Sequence, residues 1–368
     1  MPERRSSIKS QTQGSVLQII RSDDNDGTMK QLLLERVGEE AYKYFNHFID
    51  TESPETLVVS TTNEFNILNH PGKVKAILNL SKVNNFRYIN KFLEKVNNKL
   101  LVDDHFILCC ETITARKERH SLGNIPFIRS LWFGMEFIFL RVFPKVWGLK
   151  KIYFLMTRGR NRLLSKAEVM GRLVSCGFKI EASEAFNGLT YIVTKKVKAP
   201  EFNMNVSYGP LFKMNRIGKN GKIIGVYKFR TMHPFAEYLQ DYVLQLNGYG
   251  ESGKPKNDFR LTPWGRFLRR YWLDELPQLI NVLKGEMLIV GYRPPILSEV
   301  QKYNKKYLKR FQGYPGITSI WAIMGGHKNF TFDEWIRSDI EYEKKRSYLS
   351  DFKIILKTLK LFLKYFNK

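Results

Sequence analysis

Cysteine is nearly absent: 368 residues contain Cys109, Cys110 and Cys176 and no CxxC pair. That argues against a disulfide framework and for buried thiols in a reducing compartment. No run reaches 18 uncharged apolar residues, so no ordinary membrane-spanning helix is expected. Residues 1–28, rich in Ser, Gln, Asp and Arg, lack the apolar core of a signal peptide. They read as disordered, and the chain is expected to stay in the cytoplasm. No internal repeat is visible. Acid is also scarce: 35 Asp and Glu stand against 60 Lys and Arg, a formal charge of +25. Such an excess implies an anionic partner, whether nucleic acid, an anionic membrane surface or a phosphorylated substrate.

The composition that remains, 43% hydrophobic and 14% aromatic, is that of a globular protein of two or three domains. Gln31 to Ile49 reads as one helix. "ETLVVST" and "VKAILNL" read as strands, followed by the helix "FRYINKFLEKVNNKL" and the strand "HFILCCET". "SKAEVMGRLVSCGFKIEASEAFNGLTYIVTKK" reads as helix, strand, turn, strand. Strands alternating with helices predict an α/β layer over residues 29–197. Between them, residues 125–156 form an apolar insertion interrupted by Glu136, Arg141 and Pro144. This segment fits either a dip into one membrane leaflet or a helical hairpin buried in protein. Val197 to Pro210 reads as a linker into a second domain, residues 198–368, where Arg, Lys, Gly and Pro cluster densely.

One stretch there, "WLDELPQLINVLKGEM" from Trp272 to Met287, places Asp274 beside Glu275. Leu276, Leu279, Ile280 and Leu283 share one helical face, Pro277 suits a first turn, and Gly285 suits a helix end. Taken alone, this is a capped core helix with acid at its favourable dipole end. The surroundings point elsewhere. "YKFRTM", "DFRLTPWGRFLRR" and "GYRPP" set arginines on both sides, and arginine is suited to bidentate phosphate contacts. Adjacent carboxylates among such cations can hold Mg²⁺, and a carboxylate can attack phosphorus.

The ordered motifs "GPLFKMNRIGKNGKIIGVYKFRTM", "DFRLTPWGRFLRRYWLDELPQLINVLKGEMLIVGYRPP", "YPGITSIWAIMGG" and "SDFKIILKTL" resemble the bacterial sugar transferases of the monotopic type, from about Tyr208 to Phe362. The resemblance implies transfer of a sugar 1-phosphate from a UDP-sugar to undecaprenyl phosphate at the cytoplasmic face of the bacterial inner membrane. It implies that Asp274 attacks the sugar-linked phosphate, that UMP leaves, and that Glu275, with Asp274, binds Mg²⁺. It also implies phosphate contacts from Lys228 and Arg230, a place near the site for Asp258 and Arg260, and nucleotide contacts from Arg293 and Pro294. Tyr292 stands where the family's motif has its first proline. "RIGKNGK" reads as a hairpin with an Asn-Gly turn.

The family's apolar helix directly before "GP" is missing, and residues 125–156 are a candidate substitute. Residues 56–197 resemble the later part of a class I methyltransferase. However, "TLVVSTTNEFNIL" holds none of the glycines a nucleotide loop needs, so a degenerate Rossmann-like scaffold is expected. Asp103, Asp104 and His105 read as a turn before a strand. The expected architecture is that α/β domain plus a mainly helical α+β, membrane-associated catalytic domain. Residues 351–368 read as a basic amphipathic helix for an anionic membrane surface. The rival reading is a methyltransferase-like protein with a lipid-binding accessory domain, which cofactor binding would support. A nucleic-acid partner is not expected, because the Asp274–Glu275 pair would repel a polyanion. A homo-oligomer is left open.

Overall fold

A computed structural model describes residues 29–366 except 73, 120–125, 147, 202–208, 249–254, 302 and 325–330. The expected disorder of residues 1–28 lies outside them, as do part of the linker and the start of the apolar insertion. The chain divides into two compact units. One comprises Met1–Met204 with Glu237–Leu239, and the other Asn205–Ala236 with Gln240–Lys368.

The first unit is mixed α/β. Its five-stranded sheet contains β1 (Thr56–Val59), β2 (Ala76–Lys82), β3 (His105–Cys110), β4 (Phe178–Phe186) and β5 (Leu189–Lys196), in the order β1-β2-β3-β5-β4. β1, β2 and β3 are parallel, while β5 runs antiparallel to both neighbours. Both inner parallel strands are runs of buried apolar residues, as a sheet covered on both faces requires. Leu33, Val37, Ala41 and Phe45 pack with Leu78, Ile107, Tyr191 and Val193 in one buried cluster. The expected single helix over Gln31–Ile49 is two, Met29–Val37 and Glu39–Asn46. Gly38 sits at φ +84° between them, a conformation that costs glycine little and breaks the helix. Before β3, Asp103 has φ +76° and Asp104 Oδ2 accepts from the Leu101 N–H at 2.6 Å, a turn as expected.

The apolar insertion contains two helical runs. Pro126–Phe137 continues in right-handed helical backbone through a π-helical turn at Ile138–Val142 and a 3₁₀ turn at Phe143–Lys145, the chain leaves helical geometry at Val146 and Gly148, and Leu149–Thr157 follows as the second helix. Glu136 and Arg141 point inward, to Arg116 at 2.5 Å and Glu168 at 2.7 Å. No described helix is long and apolar enough to cross a membrane.

The second unit begins with an antiparallel hairpin, β6 (Leu211–Ile217) and β7 (Ile223–Phe229). Its turn is the expected one: Asn220 and Gly221 both have positive φ, and the Lys222 N–H donates to the Lys219 carbonyl at 3.2 Å. A short parallel pair follows, β8 (Leu288–Val290) and β9 (Gly316–Thr318). The last two helices are Phe332–Lys345, closed by a Thr331–Glu334 capping box, and Tyr348–Phe366, which starts before the expected residue 351. Ile354 is buried with Val290 and Tyr342, so one face of the last helix packs on its own unit. Its other face exposes Leu349, Phe352, Leu356, Leu359 and Leu363 among Lys353, Lys357, Lys360 and Lys364.

Candidate active site

The acidic pair does not cap a core helix. Leu273–Gln278 is a 3₁₀ segment, entered through Trp272 at φ 50° and ψ 16°, and only Leu279–Leu283 is α-helical. The expected apolar face is inverted: Leu276, Leu279 and Leu283 are 51%, 48% and 89% exposed, while Asp274, Gln278 and Asn281 are buried. The reason is β7. Asn281 Oδ1 accepts from the Tyr227 N–H at 3.0 Å, and its Nδ2 donates to the Gly225 carbonyl at 2.9 Å. One buried amide thus satisfies backbone groups of the strand and turns the polar side of the segment toward it. A bulky residue held left-handed, as Trp272 is, marks a backbone that its surroundings over-determine.

β7 also brings Lys228 to the pair. Its ammonium donates to Glu275 Oε1 at 2.6 Å, and Gln278 Nε2 donates to Oε2 at 3.0 Å. The two carboxyls then differ. For Glu275, burial opposes the charge, but Lys228 outweighs it with help from Arg293 and Gln278 and holds the group below the usual carboxylate range. For Asp274, burial and the neighbouring Glu275 raise the group above its ordinary value, against the pull of Lys228 and Arg269. The pair therefore offers one firmly ionised carboxylate and one whose negative charge is disfavoured.

Arg269 is placed by an N-capped helix, Pro263–Arg270. Thr262 Oγ1 accepts from the Gly265 N–H at 2.9 Å and donates to the Thr231 carbonyl at 3.1 Å. Arg269 Nε donates to Thr231 Oγ1 at 2.9 Å, tying the helix to the "KFRTM" strand end. Gly265 is obligatory here, because a Cβ would stand 1.9 Å from the Thr231 carbonyl oxygen.

The other expected residues divide. Arg293 is exposed, stacks its guanidinium 5.7 Å from the Trp321 ring, and contributes to the field at Glu275. Its carbonyl accepts from Arg310 at 3.3 Å, and Arg310 is buried on Asp339 at 2.5 Å, so the loop bearing Arg293 and the half-buried Pro294 is anchored from below. Arg230 donates to the Gly209 carbonyl at 3.0 Å and lies over Phe212. Asp258 and Arg260 pair with each other at 2.8 and 2.7 Å, and Arg260 also donates to Gln240 at 2.7 Å. Burial opposes charge on Asp258, but Arg260 outweighs it and keeps the carboxyl low. The structure thus joins Asp274, Glu275 and Lys228 directly and adds Arg293 through its field. Arg269 interacts electrostatically with both the Asp258–Arg260 pair and the dyad.

Residue-by-residue reading of the sequence missed Arg216, Arg269, Gln278 and Asn281. Arg216, half-buried on β6, has its charge disfavoured by burial and by Arg293 and supported by Glu299 and Glu275. The buried polar residues at helical spacing, Asp274, Gln278 and Asn281, were the available signal.

Two adjacent carboxylates with spare lone pairs suit Mg²⁺ when substrate phosphates and water complete its shell. Among the described residues no cluster of three or more His, Cys, Asp or Glu could hold a metal without such help. The surface beside the dyad is apolar: Trp264, Phe267 and Trp272 are exposed with Leu276, Leu279 and Leu283, and the exposed Arg266, Arg270 and Lys284 stand among them.

Residues 197–365 match the family described as bacterial sugar transferase. The chain is 45% identical over 157 residues to the galactosyl transferase CpsE of Streptococcus agalactiae serotype III, a match covering 42% of this chain and 35% of that protein. It is 37% identical over 162 residues to the UDP-glucose:undecaprenyl-phosphate glucose-1-phosphate transferase of Escherichia coli, covering 42% and 32%. With the uncharacterized sugar transferase EpsL of Bacillus subtilis, identity is 32% over 169 residues, covering 46% of this chain and 73% of that protein. The match spans about a third of the length of the first relatives.

Proposed function

The chain belongs to the bacterial sugar transferase family, and on that premise we propose that it transfers a sugar 1-phosphate from a UDP-sugar to undecaprenyl phosphate. The observation that carries this reading is the unequal carboxyl pair. Asp274 is the nucleophile: a carboxylate oxygen forms a bond to the sugar-linked phosphorus, the bond from that phosphorus to the UMP oxygen breaks, and UMP leaves with the electron pair. Forming the acyl phosphate relieves the buried charge that Glu275 repels. An oxygen of the lipid phosphate then attacks the same phosphorus, and the Asp274 carboxylate is released. Lys228 keeps Glu275 ionised and fixed, and Arg269 and Arg293 supply positive potential toward the transferring group. Mg²⁺ held by Glu275 and Asp274 would neutralise phosphate charge there.

Arg230 and the Asp258–Arg260 pair act by position: the first secures the entry to the hairpin, the second stabilises the loop before the Arg269 helix. Pro294 stiffens the loop that presents Arg293 to the nucleotide.

The acceptor reading is supported by the apolar surface beside the dyad and by the lysine-flanked outer face of Tyr348–Phe366. Both suit an enzyme resting on the cytoplasmic leaflet without crossing it. The α/β unit serves as a degenerate, methyltransferase-like scaffold. After β1, the N–H and C=O of Thr61 are taken by the buried Asn79 side chain at 3.2 and 3.0 Å, groups a bound cofactor would compete for. UMP release with a panel of UDP-sugars, with and without undecaprenyl phosphate, tests the proposal. Release of UMP with acceptor and trapping of a phosphosugar on Asp274 without it are expected. No UMP from any UDP-sugar would overturn it.

A further inference from the structure

Between Pro126 and Arg160 the chain carries one acid, Glu136, and seven Lys and Arg. The structure turns that acid inward. Arg116 grips it through Nε at 2.9 Å and Nη2 at 2.5 Å. Arg141 is likewise inward, on Glu168 at 2.7 Å and the Leu163 carbonyl at 2.6 Å. The two charges that interrupt the apolar sequence are therefore used to fasten the segment to its own unit. Phe133, Phe137, Leu140 and Tyr153 complete that inner face around Leu163.

The outer face is apolar as well. Trp132, Met135 and Ile138 are exposed at intervals of three, and Ile152, Leu155 and Met156 at i, i+3 and i+4, with Leu155 83% and Met156 67% exposed. Helices apolar on every side belong in a core or in lipid. No described residue of its own unit covers these side chains. Among the described residues of the segment, the charges that remain outside are cationic: Lys150 and Lys151 in the first turn of the second helix, Arg158 and Arg160 just past its end, all exposed. None of the described helices is long and apolar enough to cross a hydrocarbon core of about 30 Å.

We propose that this helical hairpin of the α/β unit is a membrane-contacting element in its own right, lying in the surface of an anionic lipid bilayer with its outer face among the acyl chains. An apolar surface on a segment whose described outward charges are all cationic complements anionic headgroups over an apolar interior. The inward pairing of Glu136 and Arg141 keeps both charges out of the lipid. The inference does not depend on the chemistry assigned to Asp274.

The test is flotation of the full chain with phosphatidylcholine vesicles, with and without phosphatidylglycerol. Binding should require the anionic lipid and should fall by about tenfold or more in the double variant Ile152→Asp, Leu155→Asp, whose exposed sites tolerate polar side chains. A local readout accompanies it. Cys109, Cys110 and Cys176 are buried, and burial pushes the Cys109 and Cys176 thiols up to about 12, so an environment-sensitive thiol dye should select Leu155→Cys. Its emission should shift blue on addition of anionic vesicles. If the labelled chain floats with vesicles and the emission does not change, the hairpin is not in the lipid and the proposal fails. If the emission instead shifts with protein concentration in the absence of lipid, the face belongs to a second copy and the proposal likewise fails. UMP release in detergent micelles should be unchanged in both variants, which keeps this outcome separate from the fate of the proposed reaction.

Discussion

Replacing Gly265 with alanine should reverse the usual sign of that substitution. In an exposed helix interior, glycine to alanine stabilises by about 1 kcal/mol. At Gly265 the added Cβ would stand 1.9 Å from the Thr231 carbonyl oxygen, 2.6 Å from its carbon and 2.8 Å from its Cα, all backbone atoms that cannot rotate away. Ordinary contact begins at 3.4 Å, so the helix must retreat by about 1.5 Å. That retreat breaks the bonds from the Thr262 N–H and hydroxyl to the Thr231 carbonyl, at 2.9 and 3.1 Å, and the bond from Arg269 to the Thr231 hydroxyl at 2.9 Å. Three hydrogen bonds at about 0.5–1.5 kcal/mol each, plus about 1–3 kcal/mol of overpacking, less the propensity gain, leave a net loss of about 2–6 kcal/mol. Arg269 moves with the helix, and an error of about 1 Å in a positioned group can cost about 10²-fold in rate. Thermal unfolding and the kcat/KM for UMP release read the two effects. Gly134, in the helix Pro126–Phe137, where an added Cβ would meet nothing within 4 Å, is the control, and Gly134→Ala should leave stability equal or higher. A Gly265→Ala variant as stable and as active as the parent would refute the reasoning.

Asp274→Asn should lower UMP release by at least about 10³-fold while leaving the fold at least as stable, since it removes a disfavoured charge, and near-parental turnover would remove the covalent step. Lys228→Met should invert a pH dependence. In the parent, Glu275 is held low, so its stabilisation is present above the unfolded carboxylate value and lost as pH falls through the folded one. With methionine, burial is no longer opposed by the ammonium and the folded state favours the proton. The melting temperature should then decline, relative to the parent, as pH rises above the unfolded carboxylate value; parallel curves would show that Lys228 does not set the state of Glu275. Chelation by EDTA should stop UMP release and added Mg²⁺ restore it, whereas undiminished turnover in EDTA would leave Glu275 and Asp274 with no metal to bind. Changing Lys353, Lys357, Lys360 and Lys364 together to glutamate should weaken binding to anionic vesicles by about tenfold or more at low salt and less at high salt. Equal binding would confine that helix to packing through Ile354 against Val290 and Tyr342.

Local rules settled much of this protein from its sequence. The parallel strands appear where buried β-branched and leucine-rich runs place them, the Asn220–Gly221 turn where only two residues of positive φ fit, and the acid pair where arginines converge in order along the chain. The misreadings share one cause. Periodicity records which residues are apolar, but it does not say whether the apolar side faces a core or the outside. Around Leu276, Leu279 and Leu283 the sequence reads as a buried stripe, yet Asn281 satisfies two backbone groups of β7, and a buried amide with both partners outweighs the pattern. Around Glu136 and Arg141 the charges read as interruptions of an apolar segment, yet their partners Arg116 and Glu168 lie 20 and 27 positions away and turn them inward. The difference between Asp274 and Glu275 is decided in the same way. Two neighbouring carboxyls are alike in the sequence, and they become unlike only because the fold delivers the Lys228 ammonium to one of them from a strand that ends 45 positions before Asp274.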